Sequence, residues 1–223
     1  MAVEADLKRE YPAVKTLVMP TDISDPESVG RLFEKVKAEF GHADILVNNA
    51  GVLAGGGAIH EEDPSEWWKN FEINVKGSFL VTQQFIKSLP SPSTPATIVN
   101  IVTSGAWLVV PFVSGYSISK LGQLQLTTYL AATYPNLTAI AIHPGMLDTD
   151  MMHPAFKRFD QNTPELLGGI TVWACSKDAH FLTGKAIAAN WDVDDLQARR
   201  SEIEGDKLLQ MDLKGSFRKE QFE

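Results

Sequence analysis

The stretch Ala43-Asp44-Ile45-Leu46-Val47-Asn48-Asn49-Ala50-Gly51 makes the first statement about the fold. Its apolar run has the length of a strand and breaks into polar and small residues, the pattern of a buried strand ending in a turn. Similar runs occupy residues 14–19, 97–102 and 137–142, with helical patterns between them. Strand–helix alternation of this kind predicts an α/β fold whose parallel sheet is covered on both faces.

The helices are marked by their ends. After a short one over residues 3–11, Ser24 is placed to cap the first clear helix and Pro26 suits its first turn. Val29, Leu32, Phe33, Val36 and Phe40 then form one apolar stripe before Gly41 stops it. A second helix is expected over residues 64–89 and a third over 115–133. The strip 89–95, rich in proline and serine, is a surface connection too short for a domain linker.

In the third helix Tyr116 and Lys120 stand one turn apart. A free phenol has a pKa near 10, and a lysine about 6 Å away favours its ionised form. Such a pair can exchange a proton with an alcohol or carbonyl oxygen near neutral pH. Spacing alone fits an exposed helical pair equally well, so the neighbours decide. Asn74 interrupts a helical stretch between Ile73 and Val75, Thr103 and Ser104 end an apolar strand, and His143-Pro144-Gly145-Met146 with Thr149 follow another. From about Leu7 to Asn190 this ordered set resembles the short-chain dehydrogenase/reductase family in its single-domain form.

The resemblance implies a Rossmann-like doubly wound sheet and an oxidoreductase moving hydride between NAD(P) and a ketone or secondary alcohol. It implies a catalytic set of Asn74, Ser104, Tyr116 and Lys120. Tyr116 is the acid–base, Lys120 also holds the nicotinamide ribose, and Asn74 marks a helix kink whose freed carbonyl binds a relay water. Ser104 would donate a hydrogen bond to the substrate oxygen where charge develops. It lies twelve residues before Tyr116, whereas the family's usual thirteen selects Thr103, which stays the alternative. At the cofactor the resemblance implies Asp22 and Ile23 near adenine, and Asn49, Ala50 and Gly51 where the backbone approaches closely. Tyr116 and Lys120 would meet the ribose, Met146 and Thr149 the carboxamide. NADP is favoured over NAD by resemblance only.

The expected substrate side gathers Leu53, Ala54, Ile59, residues 107–110, Phe112, Met146, Met151 and Met152, which suits an apolar carbonyl or alcohol. Ordinary loop packing accounts for the same residues equally well. His143 is given no catalytic role, and the histidines lack metal-ligand spacing, so no metal is expected. The ending from Gly184 to Val193 resembles family members of filamentous fungi, many of them in secondary metabolism. Dimerisation through the two long helices is implied as a family property.

The beginning departs from the pattern. Dinucleotide folds of this type open with a strand, a glycine-rich turn and a helix whose N-terminus holds the pyrophosphate. No such turn precedes Asp44. Gly55-Gly56-Gly57 lies after the family's fourth strand and lacks the spacing, so it reads as a flexible loop on the substrate side. The expectation is an N-terminally truncated sheet missing its first two strands, roughly 40–60 residues against a normal βαβ unit. A misplaced start, a splice or fragment form and a rearranged edge stay open.

The chain of 223 residues can bury one full core. Residues 1–190 read as a single incomplete dinucleotide-binding and catalytic domain, and 191–223 as its C-terminal extension. Its apolar share of 44% and charged share of 22% are those of an ordinary globule. A net charge of −8 argues against nucleic acid or an anionic membrane as partner. Cys175 is the single cysteine, which excludes an internal disulfide and suits the cytoplasm. Charges throughout the first ten residues exclude a secretory apolar region, and no apolar run reaches the roughly 18 residues of a membrane span. Two functions compete: the oxidoreductase, and a non-catalytic relative that keeps its site residues but cannot grip a dinucleotide.

Overall fold

The structure, a computed structural model, describes residues 2–149, 151–152, 161–206 and 208–212. Helix α1 (Ala2–Glu10) leads through an irregular segment to α2 (Pro26–Phe40). The cap of α2 is Asp25 rather than Ser24: its carboxylate accepts from the amides of Glu27 and Ser28, each at 3.1 Å. A charged acceptor there also answers the positive end of the helix dipole. Ser24 instead donates to Asp22 Oδ1 at 2.7 Å. Gly41, at φ 84°, ends the helix in a conformation that side chains resist.

Four parallel strands follow in simple order: β1 (Ile45–Asn48), β2 (Ala96–Ile101), β3 (Leu137–His143) and β4 (Lys185–Ala188). Because successive side chains alternate, β2 and β3 feed two separate cores. Ile98 and Ala139 pack with Val29 and Phe33 of α2 and with Phe85 of α4 (Ser78–Ser88). Val99, Ile101, Ile140 and Ile142 face the other way, onto Ile170 of α6 (Pro164–Ala174). Leu196 of α7 (Val193–Ala198) and Ile203 of α8 (Arg200–Gly205) join that second core. Burial on both faces is what an all-parallel sheet requires.

Residues 14–19 are not a strand, contrary to the sequence reading. Their apolar pattern is genuine, but a strand exists only as one side of a hydrogen-bonded ladder. Among the described residues nothing pairs with the edge of β1 away from β2. Val14 and Val18 are accordingly exposed, as are Ile45 and Val47 on β1.

The helix expected over 64–89 is three pieces: α3 (Pro64–Asn70), a π-helical turn (Phe71–Gly77) and α4. Asp63 caps α3 with its carboxylate. The interruption is centred where Asn74 was read as a kink, and π-turns inside helices often sit at functional sites. Helix α5 (Ser114–Thr133) crosses α3 so closely that a Cβ on Gly115 would lie 3.1 Å from the Trp67 carbonyl. The Trp67 indole N–H donates to Ser114 Oγ at 2.9 Å and fixes the crossing.

Candidate active site

The carboxyl ends of β1, β2 and β3 open into a cavity of about 530 Å³, the usual ligand position in a parallel sheet. Asn49, Ala50 and Gly51 line it after β1, Thr103 and Ser104 after β2, Met146 and Thr149 after β3, and Tyr116 and Lys120 from α5. Asn74 stands directly behind this wall: a Cβ on Gly51 would lie 3.1 Å from Asn74 Oδ1 and 3.3 Å from Lys120 Nζ. The glycine is therefore needed for contact inside the protein, beyond any need of a cofactor.

Lys120 is buried, 4% exposed. Its ammonium donates to the Ile101 carbonyl and to Gln123 Oε1, both at 2.8 Å. Burial disfavours the charged form and lowers its pKa to about 8. Tyr116 moves the other way, up to about 12, because burial disfavours phenolate, with a hydrogen bond from the Thr103 side chain opposing the rise. Burial sets the direction of the phenol's shift, opposite to the fall that a charged Lys120 one turn away leads one to expect. The hydroxyl beside Tyr116 is Thr103, the alternative in the sequence reading, and it also accepts from the Gly105 amide at 3.3 Å. Ser104 begins a 3₁₀ turn (Ser104–Ala106) and shares the cavity.

Asn74 uses its side chain as a two-point clamp. Its Oδ1 accepts from the Val52 amide at 2.8 Å, and its Nδ2 donates to the Val52 carbonyl and to Ser119 Oγ, both at 2.9 Å. Asn70, one turn earlier, repeats the device on Ala54, accepting from its amide at 3.0 Å and donating to its carbonyl at 2.9 Å. Two amides at i and i+4 thus pair the backbone of Val52 and Ala54 and hold Leu53 between them in the cavity wall. The sequence reading missed Asn70, although its spacing from Asn74 was visible.

Asn70→Leu should leave the half-buried amide and carbonyl of Ala54 unpaired and destabilise the fold by about 1–2 kcal/mol. Urea unfolding measures the loss, and amide exchange at Ala54 should accelerate while exchange in β3 follows only the global change.

Residues 1–159 match the family described as short chain dehydrogenase, most of the chain. The chain belongs to the short chain dehydrogenase family. A short chain dehydrogenase of Monascus purpureus is 37% identical over 204 residues, covering 89% of this chain and 70% of its own length. The 3-ketoacyl-(acyl-carrier-protein) reductase of Brucella melitensis, solved in complex with NADH, is 25% identical with a TM-score of 0.71, over 77% of this chain and 76% of that one. A blue fluorescent protein from a metagenomic library, solved in complex with NADPH, is 27% identical with a TM-score of 0.67, over 75% and 72% of the two chains. The family is one of oxidoreductases with Rossmann-like folds, as the motifs implied.

Not every residue that the family pattern suggested reaches the cavity. Asp22 is exposed and its carboxylate is occupied by Ser24, whose amide and hydroxyl lower its pKa. Ile23 packs against Gly77, where a Cβ would lie 2.7 Å from Ile23 Cδ1. On the substrate side Leu53, Val110, Met146, Met151 and Met152 line the cavity, whereas Ile59, Leu108, Val109 and Phe112 are exposed. The Gly55–Gly57 loop is fastened: Gly56 N donates to Glu62 Oε2 at 3.0 Å and Gly57 N to the Phe112 carbonyl at 2.9 Å. Asn162 was missed altogether. Its side chain donates to the Pro144 carbonyl at 2.9 Å and its amide to the Met146 carbonyl at 2.7 Å, bracing the turn that bears Gly145 at φ 78°.

The residues fit one half of a nicotinamide dinucleotide. Lys120 keeps one N–H beyond its two protein acceptors, and the small-residue wall and the cavity volume suit a ring and ribose beside a substrate. The N-termini of α2 and α3 are already capped by Asp25 and Asp63, so neither offers free amides to a pyrophosphate. Among the described residues no helix is long and apolar enough to cross a membrane.

Proposed function

We propose that this chain transfers hydride between a nicotinamide cofactor and an apolar ketone or the matching secondary alcohol, with Tyr116 exchanging the proton on oxygen. One observation carries the reading: a phenol, a lysine and a hydroxyl converge on a single cavity whose remaining walls are largely apolar. Bound nicotinamide would supply or take up the hydride. Thr103, hydrogen-bonded to Tyr116, orients the substrate oxygen, with Ser104 as the second hydroxyl within the same cavity. Tyr116, protonated at neutral pH, delivers its proton to that oxygen in reduction and recovers it in oxidation. Lys120 holds the ribose and offers positive charge as the phenol ionises. Asn74 keeps Gly51 and Ser119 in place behind both, and Asn49, Ala50, Met146 and Thr149 bound the nicotinamide. Asp22 and Ile23 are assigned to the adenine end, NADP or NAD serving as cofactor.

The relatives' fungal source supports a role in secondary metabolism, and the single cysteine supports a cytoplasmic setting. Exposed Phe79 on α4 with Ile118 and Tyr129 on α5 support a homodimer through these helices. A second reading, a cofactor-deficient relative, is favoured by the capped helix ends just described.

Titrating the 223-residue chain with NADPH and NADH, followed by nicotinamide fluorescence, separates the two. Saturable binding together with oxidation of the cofactor by aryl alkyl ketones is expected for the enzyme. A folded chain showing neither would establish the cofactor-deficient reading.

A further inference from the structure

Gln123 is fully buried in α5, on a face that mixes Leu124 and Leu130 with the polar Ser119, Lys120 and Thr127. A buried amide gains nothing over a leucine of similar size unless each polar atom is paired. Both are. Gln123 Oε1 accepts from Lys120 Nζ at 2.8 Å, and Nε2 donates to Ser78 Oγ at 2.8 Å. The orientation is unambiguous because an ammonium can only donate, so the oxygen must face Lys120.

The residue is itself held from behind. The Gln123 carbonyl accepts from Thr127 Oγ1 at 3.2 Å, which accepts from Asn100 Nδ2 at 2.8 Å, and Asn100 Oδ1 accepts from Asn48 Nδ2 at 2.8 Å. Asn48 Nδ2 also reaches Thr82 Oγ1 at 2.9 Å. A buried chain of amides and hydroxyls thus runs from the end of β1, through β2, to the lysine. Fully satisfied networks of this kind rigidify what they touch.

We infer that Gln123 is the positioning residue of the active-site lysine: with the Ile101 carbonyl it takes two of the three ammonium hydrogens and leaves the third for the cavity. The inference rests on the reading of Lys120 as the residue that serves ribose and phenol. A lysine has four rotatable bonds, and two fixed acceptors reduce that freedom to one orientation. An amide oxygen also favours the charged lysine, opposing its burial. No carboxylate lines the cavity among the described residues, and Tyr116 is its one other titratable group. His143, just before Pro144 on β3, is kept from charging by burial. The Gln123 oxygen is therefore the one side-chain acceptor hydrogen-bonded to Lys120 among the described residues.

The test follows the Lys120 Hε/Cε resonance by two-dimensional NMR across pH in the full chain, assigned by Lys120→Arg. Gln123→Leu should lower the titration midpoint by roughly one pH unit, the loss of one hydrogen bond to a charged group. Gln123→Glu should raise it by at least as much, because a carboxylate replaces the amide oxygen. Ser78→Ala, which frees the far end of the amide, should lower it by less and serves if Gln123→Leu does not fold. NADPH affinity measured in parallel should fall about fivefold or more in Gln123→Leu and recover in Gln123→Asn only in part. A midpoint unmoved in the folded variants, or moved alike by Leu and Glu, would overturn the inference and leave Gln123 as packing. Midpoints that move as expected in a chain that binds no NADPH would instead defeat the dehydrogenase reading and leave the positioning intact.

Discussion

Tyr116→Phe lowers turnover by about 10²- to 10⁴-fold while leaving NADPH affinity within about twofold of the parent. Phenylalanine keeps the ring that fills the cavity wall and removes only the proton and its hydrogen bond with Thr103. Burial pushes the phenol pKa up to about 12, so at neutral pH Tyr116 holds the proton that an alkoxide needs. Lys120, proposed as the main ribose partner, is kept, and binding should therefore survive. Steady-state rates on an aryl ketone together with fluorescence titration of NADPH measure the two quantities separately. Undiminished turnover in the folded variant removes Tyr116 from the chemistry, and equal loss of turnover and affinity makes it a binding residue.

Lys120→Met acts on both quantities at once. NADPH binding should weaken at least about tenfold, since one charged donor to the ribose is lost. The alkaline limb of the pH–rate profile should rise, because the parent loses the Lys120 charge near pH 8 whereas the variant keeps only the buried phenol, pushed up to about 12, to titrate. An unmoved profile with weakened binding would make Lys120 a ribose anchor only. Stability carries a separate signature. The folded chain releases the Lys120 proton near pH 8, the unfolded chain only near 10.5, so unfolding takes up a proton between these values. The stability of the parent relative to Lys120→Met should therefore increase from pH 8 to 10.5 and be level below 8. Tyr116 has the opposite sign: its folded proton outlasts the unfolded one from pH 10 to 12, and stability falls across that window.

Three strands, β1 to β3, and the shared helix face of Tyr116 and Lys120 were readable because they rest on local chemistry, whereas β4 was not read as a strand. An apolar run stopping at Asn48-Asn49-Ala50-Gly51 reads as a buried strand and turn whatever surrounds it, and the turn after β1 does enter the cavity. Tyr116 and Lys120 were legible because helix geometry converts a spacing of four into one face. Asn74 was legible as a misfit inside a helix, and the π-turn stands there. The cap of α2 was misread: the sequence reading placed Ser24 there, and the carboxylate of Asp25 holds it.

What chemistry each position can perform was thus determined by the sequence alone. Which groups meet was decided only by the tertiary structure. The pattern of residues 14–19 says that they could be a strand, but a ladder needs a second chain segment, and none lies beside them among the described residues. Gln123 reads as one more helix glutamine until α5 is laid on β2 and α4, which brings Lys120, Ser78 and the Asn100 chain around it. Ser104 was the choice in the sequence reading and Thr103 its alternative; the turn after β2 brings both into the cavity, and the Thr103 side chain works against burial on the Tyr116 pKa. The pKa of Tyr116 follows the same division: a lysine one turn away was visible in the sequence, but the burial that raises the phenol belongs to the packed molecule, because desolvation depends on everything that surrounds the ring.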